Sequence, residues 1–173
     1  MRYIEIRRHP DNDGDALTQE GVAAAERIGQ TGLHPPYTLF ASTGATRADQ
    51  TVQILRHAAG QDELPILAVP GLRSAVEDRW REAAKAAGKG ADLEAMRAVD
   101  PTLVDAETRL LGQTLRQIVD ALPEGGRALI VGHSPTNEAA VLGLTGQLVK
   151  PLGKGDGVLV VEHDGTFDVE RLG

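Results

Sequence analysis

Apolar and polar positions along this chain fall into alternating short runs and longer stripes, and their order predicts the architecture. Residues 2–7 form a short, mostly apolar segment read as a strand, followed by a polar, breaker-rich turn over 9–16. From Thr18, a candidate N-cap, the pattern turns helical to about Gln30, with Val22, Ala25 and Ile28 on one stripe. Pro35-Pro36 breaks the chain before a second strand at 37–42. Ser42-Thr-Gly-Ala45 then turns into a helix in which Ala48, Val52 and Leu55 recur, stopped by Gly60. A third strand is predicted at 66–69, closed by Pro70-Gly71.

Residues 72–105 are charged and alanine-rich, interrupted by Gly88-Lys-Gly90 and Pro101, and read as helical pieces forming a cap or insertion. Leu111, Leu115, Ile118 and Leu122 then mark an amphipathic helix over 106–122. A strand at 127–132, a helix from near Pro135 and a loop at 151–157 follow. A hairpin of 158–162 and 166–170, joined by His163-Asp-Gly165, ends the pattern. Strands alternating with helices predict one domain over 1–173, a three-layer α/β/α arrangement around a mostly parallel sheet.

Composition narrows the function. The 173 residues suffice for a single buried core, and 41% hydrophobic with 25% charged residues is ordinary for a globular domain. Aromatics make up only 3%, so the core must come from Leu, Val, Ile and Ala. A net charge of -7 argues against a nucleic-acid partner and requires that any anionic substrate meet a local cationic pocket. With no cysteine, disulfides, thiolate metal sites and cysteine nucleophiles drop out. No apolar run approaches the ~18 residues of a membrane span, and no secretory signal is evident, so a cytoplasmic location is expected. No metal-ligand spacing and no nucleotide P-loop is present, so neither metal nor cofactor is expected.

The chemistry-bearing residues follow the predicted strands. Arg8-His9 ends the first, Arg47 follows the second, and His133 follows Ala128-Leu-Ile-Val-Gly132. In open α/β sheets ligands collect at the carboxyl ends of the strands. Helices opening near Gly44 and Pro135 would direct their positive N-termini to the same crevice. Each residue alone has an ordinary reading: Arg7 and Arg8 solvate a strand end, His9 sits in a turn, Arg47 is a surface cation, His133 caps a helix. Placed together at three equivalent points, they make an oxyanion cradle around a nucleophilic imidazole. His34, His57 and His163 lack that placement.

These pieces resemble the histidine phosphatase superfamily, the phosphoglycerate-mutase-like fold. The resemblance rests on Arg8-His9, Leu17-Thr-Gln-Glu-Gly21, Leu39-Phe-Ala-Ser42 with Arg47 and Gln50-Thr51, and Val131-Gly-His133. Leu129-Ile-Val-Gly-His-Ser-Pro135 with Leu144-Thr-Gly146 looks most like the small SixA-type phosphohistidine phosphatases. The resemblance implies that His9 becomes transiently phosphorylated while Arg8, Arg47 and His133 hold the phosphoryl group. The substrate it implies is a phosphorylated small molecule or a phosphohistidine protein.

The chain departs from its relatives at two points. Pro10 stands where they carry Gly or Ala, which removes a backbone N–H beside the nucleophile. Many relatives place a glutamate after the third strand in a Leu-x-Glu pattern, whereas Leu72-Arg-Ser74 puts serine there. Glu77 is the candidate proton donor, with Asp78 or no donor as alternatives. Two further readings compete: a phospho-ligand-binding module without turnover, and a serine hydrolase using Ser134 with Asp156 and His163.

Overall fold

A computed structural model describes all 173 residues. In chain order the elements are β1 (Arg2–Arg8), β2 (Asn12–Asp13), β3 (Ala16–Leu17), α1 (Gln19–Thr31), β4 (Leu39–Ser42), α2 (Thr46–Ala58) and β5 (Ile66–Ala68). A single 3-10 turn at Pro70–Leu72 leads to α3 (Glu77–Ala87), α4 (Leu93–Val99) and α5 (Pro101–Ala121). The chain ends with β6 (Arg127–Gly132), α6 (Thr136–Thr145), β7 (Gly157–His163) and β8 (Thr166–Leu172). Thr18 caps α1 as its position predicts, its hydroxyl accepting from the Gly21 N–H at 3.0 Å.

Six strands form one sheet in the order β5-β4-β6-β1-β7-β8. β1, β4, β5 and β6 run parallel, and β7 and β8 add an antiparallel hairpin at one edge. The mostly parallel sheet expected from the sequence is therefore observed. β6 is buried on both faces, and its period of two divides its side chains between two cores. Leu129 and Val131 pack with Phe40, Val52 and Leu55 beneath α1 and α2. Ala128 and Ile130 pack with Ile4, Ile6, Leu111 and Leu115 beneath α5 and α6. Helices thus cover both faces, which gives three layers.

The same alternation in β1 sends Glu5 and Arg7 toward the α1–α2 layer, where both are buried. Arg7 is therefore not a solvated strand end. Its Nε donates to Glu5 Oε2 at 2.7 Å, and its two terminal nitrogens donate to the carbonyls of Gly155 and Gly32, each at 3.2 Å. The Tyr37 hydroxyl donates to the other Glu5 oxygen at 2.8 Å and accepts from the His34 N–H at 2.9 Å. Burial, then the Glu5 charge, pushes the Tyr37 phenol far up. A charge pair this deep persists because its remaining lone pairs and protons are satisfied.

Within 72–105, α3 and α4 pack into the main core. α5 begins at Pro101, not 106, because Asp100 caps it through the Leu103 N–H at 3.2 Å and Pro101 suits a first helical turn. Trp80, Ala83, Leu93 and Met96 from α3 and α4 pack into the same cluster as Leu103 and Val104 of α5. α5 and α6 cross through Gly112 and Gly143, where a Cβ on Gly112 would lie 2.6 Å from the Gly143 backbone. Ser134 and Pro135, just before α6, line cavities together with Ala84 of α3.

Candidate active site

Parallel pairing sets the site before any side chain is considered. Arg8 lies opposite Gly132, and Ser42 opposite Val131, so β1, β6 and β4 end side by side at one edge. Neighbouring strands are about 4.8 Å apart. The next residue of β1 is His9 and of β6 is His133, and their rings lie edge-on with centroids 5.3 Å apart. Arg47, in the first turn of the helix after β4, reaches across from the third strand, its Nε donating to His9 Nε2 at 3.3 Å. The three strand ends do bring His9, Arg47 and His133 together.

His9 is oriented through its other nitrogen. Nδ1 lies 2.8 Å from the Pro10 carbonyl, which can only accept. Nδ1 therefore carries the proton, and the lone pair is left on Nε2, facing Arg47. Pro10 has lost an N–H but keeps the carbonyl that fixes this tautomer. Burial lowers the His9 pKa to about 4; the Pro10 hydrogen bond opposes this, and the charges of Arg47, Arg8 and Lys154 add to it. His9 is neutral at pH 7, the form in which an imidazole attacks.

His133 is held by a residue that the sequence reading passed over. Thr43, directly beyond β4, places Oγ1 2.8 Å from His133 Nε2. Burial, then the Arg47 charge, lowers the His133 pKa to about 3. Its Nδ1 is buried without a protein partner. Asp15, in the turn between β2 and β3, accepts from Arg47 Nη1 at 2.8 Å and ties the polar turn over the site. The same turn is anchored by Lys154, whose Nζ lies 3.0 Å from Asp11 and 3.2 Å from Asn12. Gly21 permits this docking, because a Cβ there would lie 2.0 Å from the Asp11 carbonyl oxygen. Lys154 and Asp15 carry no motif of their own. Thr43 could have been found as one more residue beyond a strand end.

Arg8 is also at the edge. Its Nη1 donates to the Leu152 carbonyl at 2.7 Å, and its Nε is buried without a partner. It lines a cavity of about 630 Å³ between the cap and the 149–152 loop, with Ser134, Glu138, Lys85 and Lys89. A second cavity of about 250 Å³ is lined by Arg47 and His133 together with Ser74, Glu77, Trp80 and Ser134. Ser134 and Pro135 belong to both, so the two spaces adjoin.

Glu77 does reach the smaller cavity, but its carboxylate accepts from Arg73 Nε at 2.7 Å in a partly exposed i,i+4 pair. Asp78 is exposed and pairs with Arg81. The serine-hydrolase reading fails on geometry. Gly157 pairs with Arg7, while Glu162, beside His163, pairs with Arg2. His163 therefore sits at the far end of β7, roughly 20 Å from the strand edge that carries Ser134. Asp156 is engaged by Arg171 and the Gly153 N–H, and the Ser134 hydroxyl by Glu138. No triad forms.

No helix is long and apolar enough to cross a membrane. No family model matches the chain, and no curated protein matches it in sequence. Solved structures match along almost its full length. A phosphoglycerate mutase from Bacillus anthracis superposes with a TM-score of 0.74 at 18% identity, covering 98% of this chain and 92% of that one. A phosphoserine phosphatase from Entamoeba histolytica, solved with 3-phosphoglyceric acid, gives 0.75 at 14% identity, covering 100% and 98%. A SixA-type protein from Agrobacterium tumefaciens gives 0.59 at 20% identity, covering 99% and 97%. The chain has the phosphoglycerate-mutase-like fold that the sequence resemblance implied.

Proposed function

We propose that this protein is a phosphatase that passes a phosphoryl group through His9. The observation that carries this is the His9 ring itself. It is neutral, held by Pro10 through Nδ1, and it presents the Nε2 lone pair toward a guanidinium beside a second histidine. Nε2 attacks phosphorus, and the leaving oxygen departs on the opposite side. Arg47, Arg8 and His133 hold the equatorial oxygens, the last through an Nδ1 free of protein partners. Two displacements replace one difficult hydrolysis. Positioning and preorganised positive charge supply most of the acceleration. Water then attacks the phosphohistidine and releases phosphate.

The likeness to a phosphoserine phosphatase solved with 3-phosphoglyceric acid supports this reaction class. The cavities beside the cradle, roofed by α3 and α4, favour a small phosphomonoester over a phosphohistidine protein. The experiment is a screen of p-nitrophenyl phosphate, sugar and amino-acid phosphates and a phosphohistidine protein, without added metal, coupled to quenching in alkaline denaturant. The expected result is turnover through a phosphoenzyme that is labile in acid and stable in base. Phosphate binding with no turnover of any substrate would instead make the chain a phospho-ligand-binding module.

A further inference from the structure

Two lysines of the cap have no part in the reaction as described. Lys85 lies in the last turn of α3, and Lys89 follows the end of that helix in the Gly88-Lys-Gly90 turn. Both line the cavity of about 630 Å³ that Arg8 also lines. Lys154 is tied to Asp11 and Asn12, whereas Lys85 and Lys89 make no ion pair or hydrogen bond. The helix dipole accounts for a cation at Lys85, inside the final turn, but not for one beyond it. The turn that carries Lys89 has φ of +100° at Gly88 and +75° at Gly90, values that glycine adopts without strain. That bent backbone seats Lys89 on the same cavity as Lys85.

Three cations thus meet in one cavity of a chain whose net charge is -7. The two acids beside them are already engaged. Asp92 caps α4, accepting from the Ala95 N–H at 3.0 Å. Glu138 is 2% exposed and accepts from the Ser134 hydroxyl, and burial raises its pKa, which favours the neutral form. Leu93 and Met96 add an apolar wall, where charges are screened less than at the surface. The cavity shares Ala84, Ser134 and Pro135 with the one lined by Arg47 and His133. A group attached to a phosphoryl held in the cradle has this space to extend into.

We propose that Lys85 and Lys89 are specificity-determining residues that bind a second anionic group, carried on the leaving alcohol of the substrate. The inference deepens the phosphatase function proposed above and rests on it. The favoured substrate is a phosphomonoester whose alcohol bears a carboxylate or a further phosphate. Arg8 stands at the junction, where it lines this cavity and holds the phosphoryl group.

Two matched pairs of esters separate the sources of charge. 3-Phosphoglycerate differs from glycerol 3-phosphate by a carboxylate in place of a hydroxymethyl group. Fructose 1,6-bisphosphate differs from fructose 6-phosphate by one phosphate. The readout is the ratio of kcat/KM within a pair, the more anionic member over the other. Wild type should give a ratio of about tenfold or more for at least one pair, the worth of a hydrogen bond to a charged group. The pair that shows it tells carboxylate from phosphate, and the ratio should shrink as salt is added. Lys85→Met combined with Lys89→Met should bring the ratio to within about twofold of one, through KM. Lys85→Glu combined with Lys89→Glu should drive it below one. Lys150→Met removes an exposed lysine outside both cavities and should keep the wild-type ratio.

A wild-type ratio near one for both pairs overturns the subsite. So does a ratio that survives in the Lys85 and Lys89 variants, or one lost equally in Lys150→Met. Turnover of p-nitrophenyl phosphate through a phosphoenzyme leaves the phosphatase standing in each case. If no ester is turned over, the phosphatase reading fails, and the same ratios measured as Kd decide the subsite, which equal affinities overturn. If the double methionine variant does not fold, Lys85→Met and Lys89→Met taken singly carry the test.

Discussion

The two sides of the site are built in different ways. On one side, His9, Arg47 and His133 follow three adjacent parallel strands, and the ladder between β1, β6 and β4 fixes their spacing. On the other side, Ser74, Trp80 and Glu107 come from a loop, a cap helix and the long helix α5, and only packing joins them. A strand-end residue inherits its address from backbone hydrogen bonds, whereas a cap residue must be brought there by its neighbours. The first side should be chemically intolerant and rigid. The second should be where related chains change most readily.

The largest effect expected is on the strand side. His9→Ala should bring turnover to uncatalysed background and leave no acid-labile phosphoenzyme, because His9 Nε2 is the ring nitrogen that Arg47 Nε addresses. Persistent phosphoenzyme in that variant would break the comparison at its root, since the ladder would then not define the nucleophile.

The support beneath the cradle is the next test. Arg7→Ala leaves Glu5 buried beside Tyr37 with its cation gone, and removing one member of a buried pair costs about 3–5 kcal/mol. Urea unfolding should show that loss, with kcat per folded molecule little changed, because Arg7 points away from the strand face that carries Ile4 and Ile6 and pairs within the α1–α2 layer. A stability unchanged to within 1 kcal/mol would mean that the pair is not the anchor of β1.

The same contrast explains what could be read from the sequence. Each strand announced itself by an apolar run with a breaker beyond it, so the residue after the run was located without knowing any contact. That is how His9, Arg47 and His133 were found, and Thr43 could have been found by the same rule. The Glu5–Arg7–Tyr37 network was not legible, because two charged residues in a short strand look like solvated positions until the sheet buries both faces. Glu107 was hidden for the opposite reason: it sits among leucines at helical spacing and reads as one polar interruption of an apolar stripe. The start of α5 lies earlier than its apolar stripe indicates because Asp100 and Pro101, a break by composition, together open the helix.

Arg47→Ala sharpens the comparison from the electrostatic side. Removing one preorganised donor to developing charge typically costs about 10²–10³ in kcat. Lysine at this position should recover only part of it, because a point charge cannot both face Nε2 and reach Asp15 as the guanidinium does. Full activity of either variant would remove Arg47 from the cradle.

A pH measurement tests the burial of the two rings. Burial first, then nearby cations, lowers the pKa of His9 to about 4 and of His133 to about 3. The unfolded chain takes up those protons near pH 6.5, so each ring favours the fold above that pH and loses its contribution as pH falls toward the folded value. Between pH 7.5 and 5 the loss should be about 2 kcal/mol per histidine. His133→Asn should flatten the decline by that amount in urea unfolding. A wild-type stability flat across this range would mean that both rings are solvated.

The smallest effect belongs to the cap side. Glu77 lines the same cavity as Arg47 and His133, and the sequence makes it the candidate proton donor, with Asp78 or no donor as alternatives. Its carboxylate nevertheless faces Arg73 in a pair that is more than one-third exposed at both ends, at 39% and 37%. Exposed i,i+4 pairs are worth about 0.3–0.5 kcal/mol. Glu77→Gln should therefore change stability by no more than that and alter kcat/KM on an alkyl ester by less than about threefold. A large, leaving-group-dependent loss in Glu77→Gln would instead make Glu77 the proton donor despite its pairing with Arg73.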